Sequence, residues 1–156
     1  MKKVISGGQT GVDRAGLDAA GEAGIPTGGY CPQGRIAEDG VVPDCYPMTE
    51  LAGGDYAART EKNVIESDGT LILNLGDLSG GTRVTVDCAK KHGKHYFVVQ
   101  LDEDPELEDA LFWLTEHQIE VLNVAGPRES KQPGVYLLAR AFLQQFFAAL
   151  SQNRQF

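Results

Sequence analysis

Hydrophobic and polar positions along the chain follow two alternating periods. Strand signals stand at Lys2–Ser6, around Val4-Ile5, at Gly69–Asn74, His95–Leu101 and Ile119–Val124, with a weaker one at Ile25–Tyr30; Gly69–Asn74 is nearly continuous in apolar character, as a strand covered on both faces is, and His95–Leu101 reads as another buried strand. Between them lie stretches of helical character: Asp13–Ala23, Asp55–Ser67, Thr82–His92, Pro105–His117 and Pro133–Leu150. Within the first, Val12, Gly16, Ala19, Ala20 and Ala23 form a stripe of small residues, which lets a helix sit close to a sheet, and Gly24 stands where a helix stops. The fourth places Glu106, Glu108 and Asp109 in its first turns, where the helix dipole favours acids. In the last, Val135, Leu138, Phe142, Phe146 and Ala149 follow helical spacing, and Leu143, Phe147 and Leu150 widen the face. A face that broad predicts a helix that covers a sheet and also meets a second copy in a homo-oligomer. Strand and helix signals alternating from end to end predict an α/β fold, a three-layer sandwich with a mostly parallel central sheet of about five strands.

Two stretches break the pattern. Ile25–Met48 is rich in Gly and Pro and has little periodicity, so it reads either as a lid or site wall, or as a surface excursion with tight turns at Pro32-Gln33-Gly34 and Glu38-Asp39-Gly40. Ser6-Gly7-Gly8-Gln9-Thr10-Gly11-Val12-Asp13 links the first strand to the first helix with three glycines. Such a turn lets a ligand approach the main chain, and the helix behind it points free N–H groups and its positive dipole end at an anion. A second turn of this type, Gly76-Asp77-Leu78-Ser79-Gly80-Gly81-Thr82, follows Asn74, and a third, Ala125–Ser130, follows Val124. In a parallel sheet all three open onto the edge formed by the strands' carboxyl ends. Tyr56, Arg59, Thr60 and Asn63 share one helix face and are candidates for a site wall, the simpler reading being a solvated face.

Composition narrows the functional classes. A length of 156 residues suits a single domain spanning 1–156, with 42% hydrophobic and 23% charged residues. No apolar run is long enough to span a bilayer, and Met1-Lys2-Lys3-Val4 entering a strand at once predicts no signal peptide. A net charge of −8 argues against broad binding to nucleic acid or an anionic membrane surface, though not against a small anion cradled by backbone N–H groups. Cys31, Cys45 and Cys88 match neither a disulfide framework nor a paired zinc motif, and fit a reduced cytoplasm.

The first turn is neither GxGxxG nor GxxxxGK[ST], so it supports neither a dinucleotide fingerprint nor a lysine-bearing NTPase loop. Taken alone it could be plain strand-to-helix geometry, with Asp13 favouring the helix start. The pairing of two anion-competent turns favours a phosphate site: Gly7, Gly8, Thr10 and Gly11 facing Gly80, Gly81 and Thr82. Ser79 adds a hydroxyl, and Arg59, Arg128 or Arg35 supplies charge. His92, His95 and His117 fall away from the glycine turns and read as surface or capping residues. No HExxH, CxxC or GxSxG occurs, and no metal site is predicted. Asp13, Glu38, Asp39, Asp68 and Glu129 are carboxylates that could act as general acid or base, and residue pattern alone does not choose among them; a hydrolase would use Asp13 or Glu129.

Ser6-Gly7-Gly8-Gln9-Thr10-Gly11-Val12-Asp13-Arg14-Ala15 resembles the opening signature of the molybdenum carrier proteins. Further matches, in order along nearly the whole chain, are Pro32-Gln33-Gly34-Arg35, Glu38-Asp39-Gly40, Arg59–Val64, Ser67–Thr70, Gly80-Gly81-Thr82 and Asn123–Ser130. That family sits in the Rossmann-like SLOG superfamily of nucleotide-binding domains, together with DprA and the LOG enzymes. The resemblance implies a carrier of molybdenum cofactor, a phosphate-bearing pterin with a dithiolene-held metal, or a nucleotide-binding protein. The alternative it implies is a LOG-like hydrolase of the nucleotide N-glycosidic bond. The LOG pattern PGGxGTxxE is not kept here: Ser79 replaces its proline, and Arg83-Val84-Thr85-Val86 follows Thr82 with no acid until Asp87.

Overall fold

The computed structural model describes residues 1–153. The strands and helices in chain order are β1 (Lys3–Ile5), α1 (Val12–Glu22), β2 (Thr27–Gly28), β3 (Tyr30–Pro32), β4 (Ile36–Ala37), β5 (Gly40–Val41), β6 (Thr49–Leu51), α2 (Tyr56–Glu66), β7 (Gly69–Asn74), α3 (Gly80–Lys91), β8 (His95–Gln100), α4 (Leu107–Glu116), β9 (Val121–Ala125) and α5 (Val135–Asn153), with a 3₁₀ turn at Gln33–Arg35. Five strands form the central sheet in the order β2-β1-β9-β7-β8, every pair parallel. The α/β fold with a parallel central sheet is therefore as the apolar pattern predicts.

Helices α1, α4 and α5 pack together on one face of the sheet and α2 with α3 on the other. The main core lies between the sheet and α1, α4 and α5, where Leu143, Phe146 and Phe147 meet Val4, Leu122 and Val124. A smaller cluster of Val64, Cys88 and Ala89 seals α2 and α3. The small-residue stripe of α1 does what its spacing predicts: a Cβ on Gly16 would lie 2.8 Å from Cβ of Val124. All six residues of β7 are buried, because β9 and β8 flank it and helices cover both faces.

Several boundaries differ from the sequence reading. The strand predicted as buried at His95–Leu101 is the sheet's edge, and only Val99 within it is fully buried. Helix α3 starts at Gly80 rather than Thr82, so Gly80 and Gly81 are its first turn. Helix α5 starts at Val135, after Pro133 and Gly134.

The Ile25–Met48 excursion is ordered by pairing rather than by periodicity. Strand β2 joins the central sheet, β3 pairs in parallel with β6, and β4 with β5 makes a small antiparallel hairpin. Arg35, at φ 55°, donates to the carbonyls of Val42, Pro43, Tyr46 and Met48. It therefore holds the excursion together and is unavailable as the charge partner the sequence offers. Tyr46 and Tyr136 both donate to the Asp18 carboxylate, which ties the excursion to α1 and α5. Burial first, then the hydrogen bond to Asp18, pushes the Tyr136 hydroxyl up to about 12.

Candidate functional site

A cavity of about 450 Å³ opens at the carboxyl ends of β1, β9 and β7, between the start of α1, the start of α3 and one face of α2. Its size falls in the range of small-molecule sites, roughly 300–1,000 Å³. Crossovers leave β1 in one direction and β7 in the other, so the crevice sits where the strand order reverses, the position that binds ligands in open parallel sheets.

All three turns singled out in the sequence reach this edge, but not every residue within them faces the cavity. Gly7, Asp13, Arg59, Gly81, Thr82 and Arg128 line it. Gly8, Thr10, Gly11 and Gly80 are placed differently. Gly8, at φ +76°, turns toward Val42 and Met48 of the excursion. Gly11, at φ +78°, is pressed against the third turn, and a Cβ there would meet the Pro127 carbonyl at 2.4 Å. The Thr10 hydroxyl donates to Glu38 and accepts from Glu129 N–H at 3.2 Å. Gly80, at φ +53°, lies under the Lys131 side chain, whose Nζ is 2.5 Å from where a Cβ would be.

The excursion contributes no residue to the cavity wall; it buttresses the first turn from behind. Gln9 Oε1 accepts from Glu38 N–H at 2.9 Å, and the Glu38 carboxylate accepts from Thr10 and from both donors of Ser130. Arg128 Nε lies 3.6 Å from the same carboxylate. Burial would raise Glu38, but the hydrogen bonds from Ser130 and Thr10 outweigh it and hold the carboxyl below its ordinary range. Arg14 grips Asp39 through both terminal nitrogens, at 2.5 and 2.8 Å.

The carboxylates named as acid or base candidates are thus mostly engaged in structure. Asp68 accepts from the backbone of Glu120 and Val121 at the opposite end of the sheet. Glu129 accepts from Gly134 and Tyr136 N–H at the start of α5. Only Asp13 is buried in the cavity wall, 4% exposed, where its Oδ2 takes Arg59 Nη1 at 3.0 Å and Gln9 N–H at 3.2 Å. Burial pushes its carboxyl up, against the lowering effect of Arg59.

The α2 face predicted from Tyr56, Arg59, Thr60 and Asn63 does line the cavity, although the Asn63 amide is used on both backbone groups of Tyr30, each at 2.9 Å. Ser79, at the N-cap of α3, makes no side-chain cap, so the first N–H groups of the helix have no side-chain acceptor. Lys131 stands beside them and joins none of the ion pairs among the described residues.

Asp77 of the second turn also lines the cavity, whereas sequence reasoning missed Asn74, Asn123, Lys131 and Gln132 in the wall. A signal existed for two of them: Asn74 and Asn123 are the amide side chains in two mainly apolar strands, at or near the carboxyl end. Asn123 Nδ2 donates to Thr70 Oγ1 at 3.2 Å, and Asn74 Nδ2 to the Gly76 carbonyl at 2.8 Å. His95 and His117 stack at 4.0 Å at the far end of the sheet, and among the described residues no group of His, Cys, Asp and Glu is arranged to hold a metal ion. No helix among the described residues is long and apolar enough to cross a membrane.

Comparison with known proteins gives two matches. No curated protein matches the chain. A crystal structure of a "putative molybdenum carrier protein" from Syntrophus aciditrophicus SB is 46% identical, covers 94% of each chain and superposes with a TM-score of 0.88. The family model for the circularly permutated YpsA SLOG family matches residues 4–147. With nearly the whole length matched, the chain belongs to the circularly permutated YpsA family of the SLOG superfamily.

Proposed function

We propose that this protein binds and carries a phosphorylated small molecule, of the class to which molybdenum cofactor and nucleotides belong, in the cavity between the first and second glycine turns. The observation that carries the reading is the charge of the wall. Arg59, Arg128 and Lys131 stand there against only Asp13 and Asp77, in a chain whose net charge is −8. Lys131 beside the uncapped start of α3 favours a phosphate, with N–H groups of Gly81 and Thr82 as donors and Arg128 and Lys131 as charge partners. Gly7, Gly8, Thr10 and Gly11 then shape the opposite turn, and Gly80 gives Lys131 its room.

The donor set fits the phosphate and ring of molybdenum cofactor better than its metal. Arg59, Lys131 and the α3 N–H groups suit oxyanions, while Cys31, Cys45 and Cys88 all lie outside the wall, so no thiolate faces the cavity. When bound, such a cofactor would bring the metal on its own sulfur ligands; this chain's residues would hold the phosphate and exclude water. Holding is favoured over N-glycosidic hydrolysis because Asp13 is paired with Arg59, and Glu129 is engaged at the start of α5.

Calorimetry with nucleoside mono- and diphosphates, and with molybdenum cofactor, is the direct test. Saturable binding that Arg128→Ala weakens is the expected result; binding of none of them sinks the proposal. Incubation with nucleoside monophosphates tests the hydrolase reading, and free base released above background would favour it instead. The proposal extends to a reduced cytoplasmic setting, consistent with three free cysteines, and to a homo-oligomer that covers exposed Phe112, Leu137 and Leu138 on α4 and α5. Sizing by light scattering reads the second point.

A further inference from the structure

The first glycine turn has little of its own left to offer an anion. Gly8 faces Val42 and Met48, Gly11 faces Pro127, and the Thr10 hydroxyl is used by Glu38 and Glu129. What faces the cavity is Gly7 with the Arg59 guanidinium laid across it. A Cβ at Gly7 would fall 1.5 Å from Arg59 Nη1, 2.4 Å from Cζ and 2.9 Å from Asp13 Oδ2. The Gly7 backbone lies outside the left-handed region, so glycine is needed there for space alone.

Arg59 is held by one hydrogen-bonded partner, with its Cζ 5.8 Å from the centroid of the Tyr56 ring. Its Nη1 donates to Asp13, and Asp13 is fixed in turn by Gln9 N–H. Its Nε is buried and has no hydrogen-bond partner among the described residues. A buried N–H without an acceptor carries its desolvation cost until one arrives, a cost that a phosphate oxygen drawn against this edge would relieve. A carboxylate in the wall of an anion site would repel the ligand unless a cation neutralised it. Arg59 does so, and the planar fork keeps one edge for each partner.

We infer that Asp13 is a positioning residue: it holds Arg59 flat on Gly7 so that the Arg59 Nε–H edge, rather than the backbone of the first turn, donates to the ligand's phosphate. The inference rests on the phosphate reading above and deepens it. It assigns Arg59 as the contact and removes Asp13 from acid–base work.

Arginine Nε–H resonances of the ¹⁵N-labelled protein, titrated with AMP and separately with inorganic phosphate, test it. With both probes the Arg59 Nε–H resonance shifts saturably. Asp13→Asn keeps a dispersed amide spectrum, broadens that resonance and weakens AMP binding about tenfold, the size expected for losing the support of a charge-assisted hydrogen bond. Gly7→Ala evicts the guanidinium and weakens binding as much as Arg59→Ala, and the double variant is no weaker than Arg59→Ala alone. If AMP moves the Gly81 and Thr82 amides but leaves Arg59 Nε–H unmoved, or if folded Asp13→Asn binds AMP as wild type does, the inference is wrong and the phosphate site stands. If neither probe moves any resonance, both readings fall.

Discussion

Glu129 accepts the backbone N–H of Tyr136 at 3.0 Å, and its other carboxylate oxygen accepts that of Gly134 at 2.6 Å. A side chain from the third turn thus satisfies donors at the start of α5, which no preceding turn of helix can reach. Glu129→Ala should lower stability by about 1 kcal/mol, as loss of a helix cap does, and leave affinity for AMP unchanged. Chemical denaturation and calorimetry on the same preparation read both. A variant that kept full stability but lost nucleobase-releasing activity would return Glu129 to the role of acid or base.

Gly16 tests how closely α1 approaches the sheet. Alanine is the better helix former by about 1 kcal/mol, so an exposed Gly→Ala change here would stabilise. The added Cβ, however, would stand 2.8 Å from Cβ and 2.9 Å from Cγ1 of fully buried Val124, a branched side chain with little room to turn. Overpacking of that kind costs about 1–3 kcal/mol and should win. Gly16→Ala is therefore expected to be the less stable protein in urea unfolding. Gly21→Ala, on the same helix with nothing within 4 Å, should gain stability and serves as the control.

What could be read from the sequence divides along the same physical line. Strand β7 is visible because burial on both faces makes every side chain of Gly69–Asn74 answer to the same pressure. The edge position of β8 is not visible, because being an edge depends on which strand pairs with it and not on its own residues. Glycine spacing located the site's turns but could not say which way each glycine faces. Gly8 and Gly11 serve contacts with Met48 and Pro127, far away in sequence, and look identical to Gly7 in composition. The excursion was opaque for a related reason. Its order comes from one arginine reaching four carbonyls and from carboxylates bridging distant turns, none of which leaves a periodic trace.

Acid should loosen that excursion first. The hydrogen bonds from Arg14 hold the Asp39 carboxyl below its ordinary value, so between the folded and unfolded pKa values the unfolded chain binds more protons than the native one. Stability from the pair is present above the unfolded value, near pH 4, and is lost as pH falls through the folded value. Asp39 is 46% exposed, so the contribution is about 1 kcal/mol or less after solvent screening. Asp39→Asn should flatten the decline in stability below pH 4. Hydrogen exchange should quicken at residues 36–41 before it does in β7; simultaneous loss of protection in both would refute a separately anchored hairpin.

Lys131 sets stability against binding. Its ammonium lies over Gly80, at the positive end of the α3 dipole, with no carboxylate paired to it among the described residues. A cation there opposes the dipole by about 0.3–1 kcal/mol, a cost that disappears when an anion occupies the helix end. Lys131→Ala should therefore leave the unliganded protein equally or slightly more stable while weakening AMP binding several-fold. The salt dependence of that binding should also become shallower, because one charge contact is gone. Lys131→Arg keeps the charge and should retain most of the affinity. A Lys131→Ala protein that melts lower than wild type, or binds AMP equally well at low and high salt as wild type does, would mean that the ammonium stabilises the fold and does not serve an anion site.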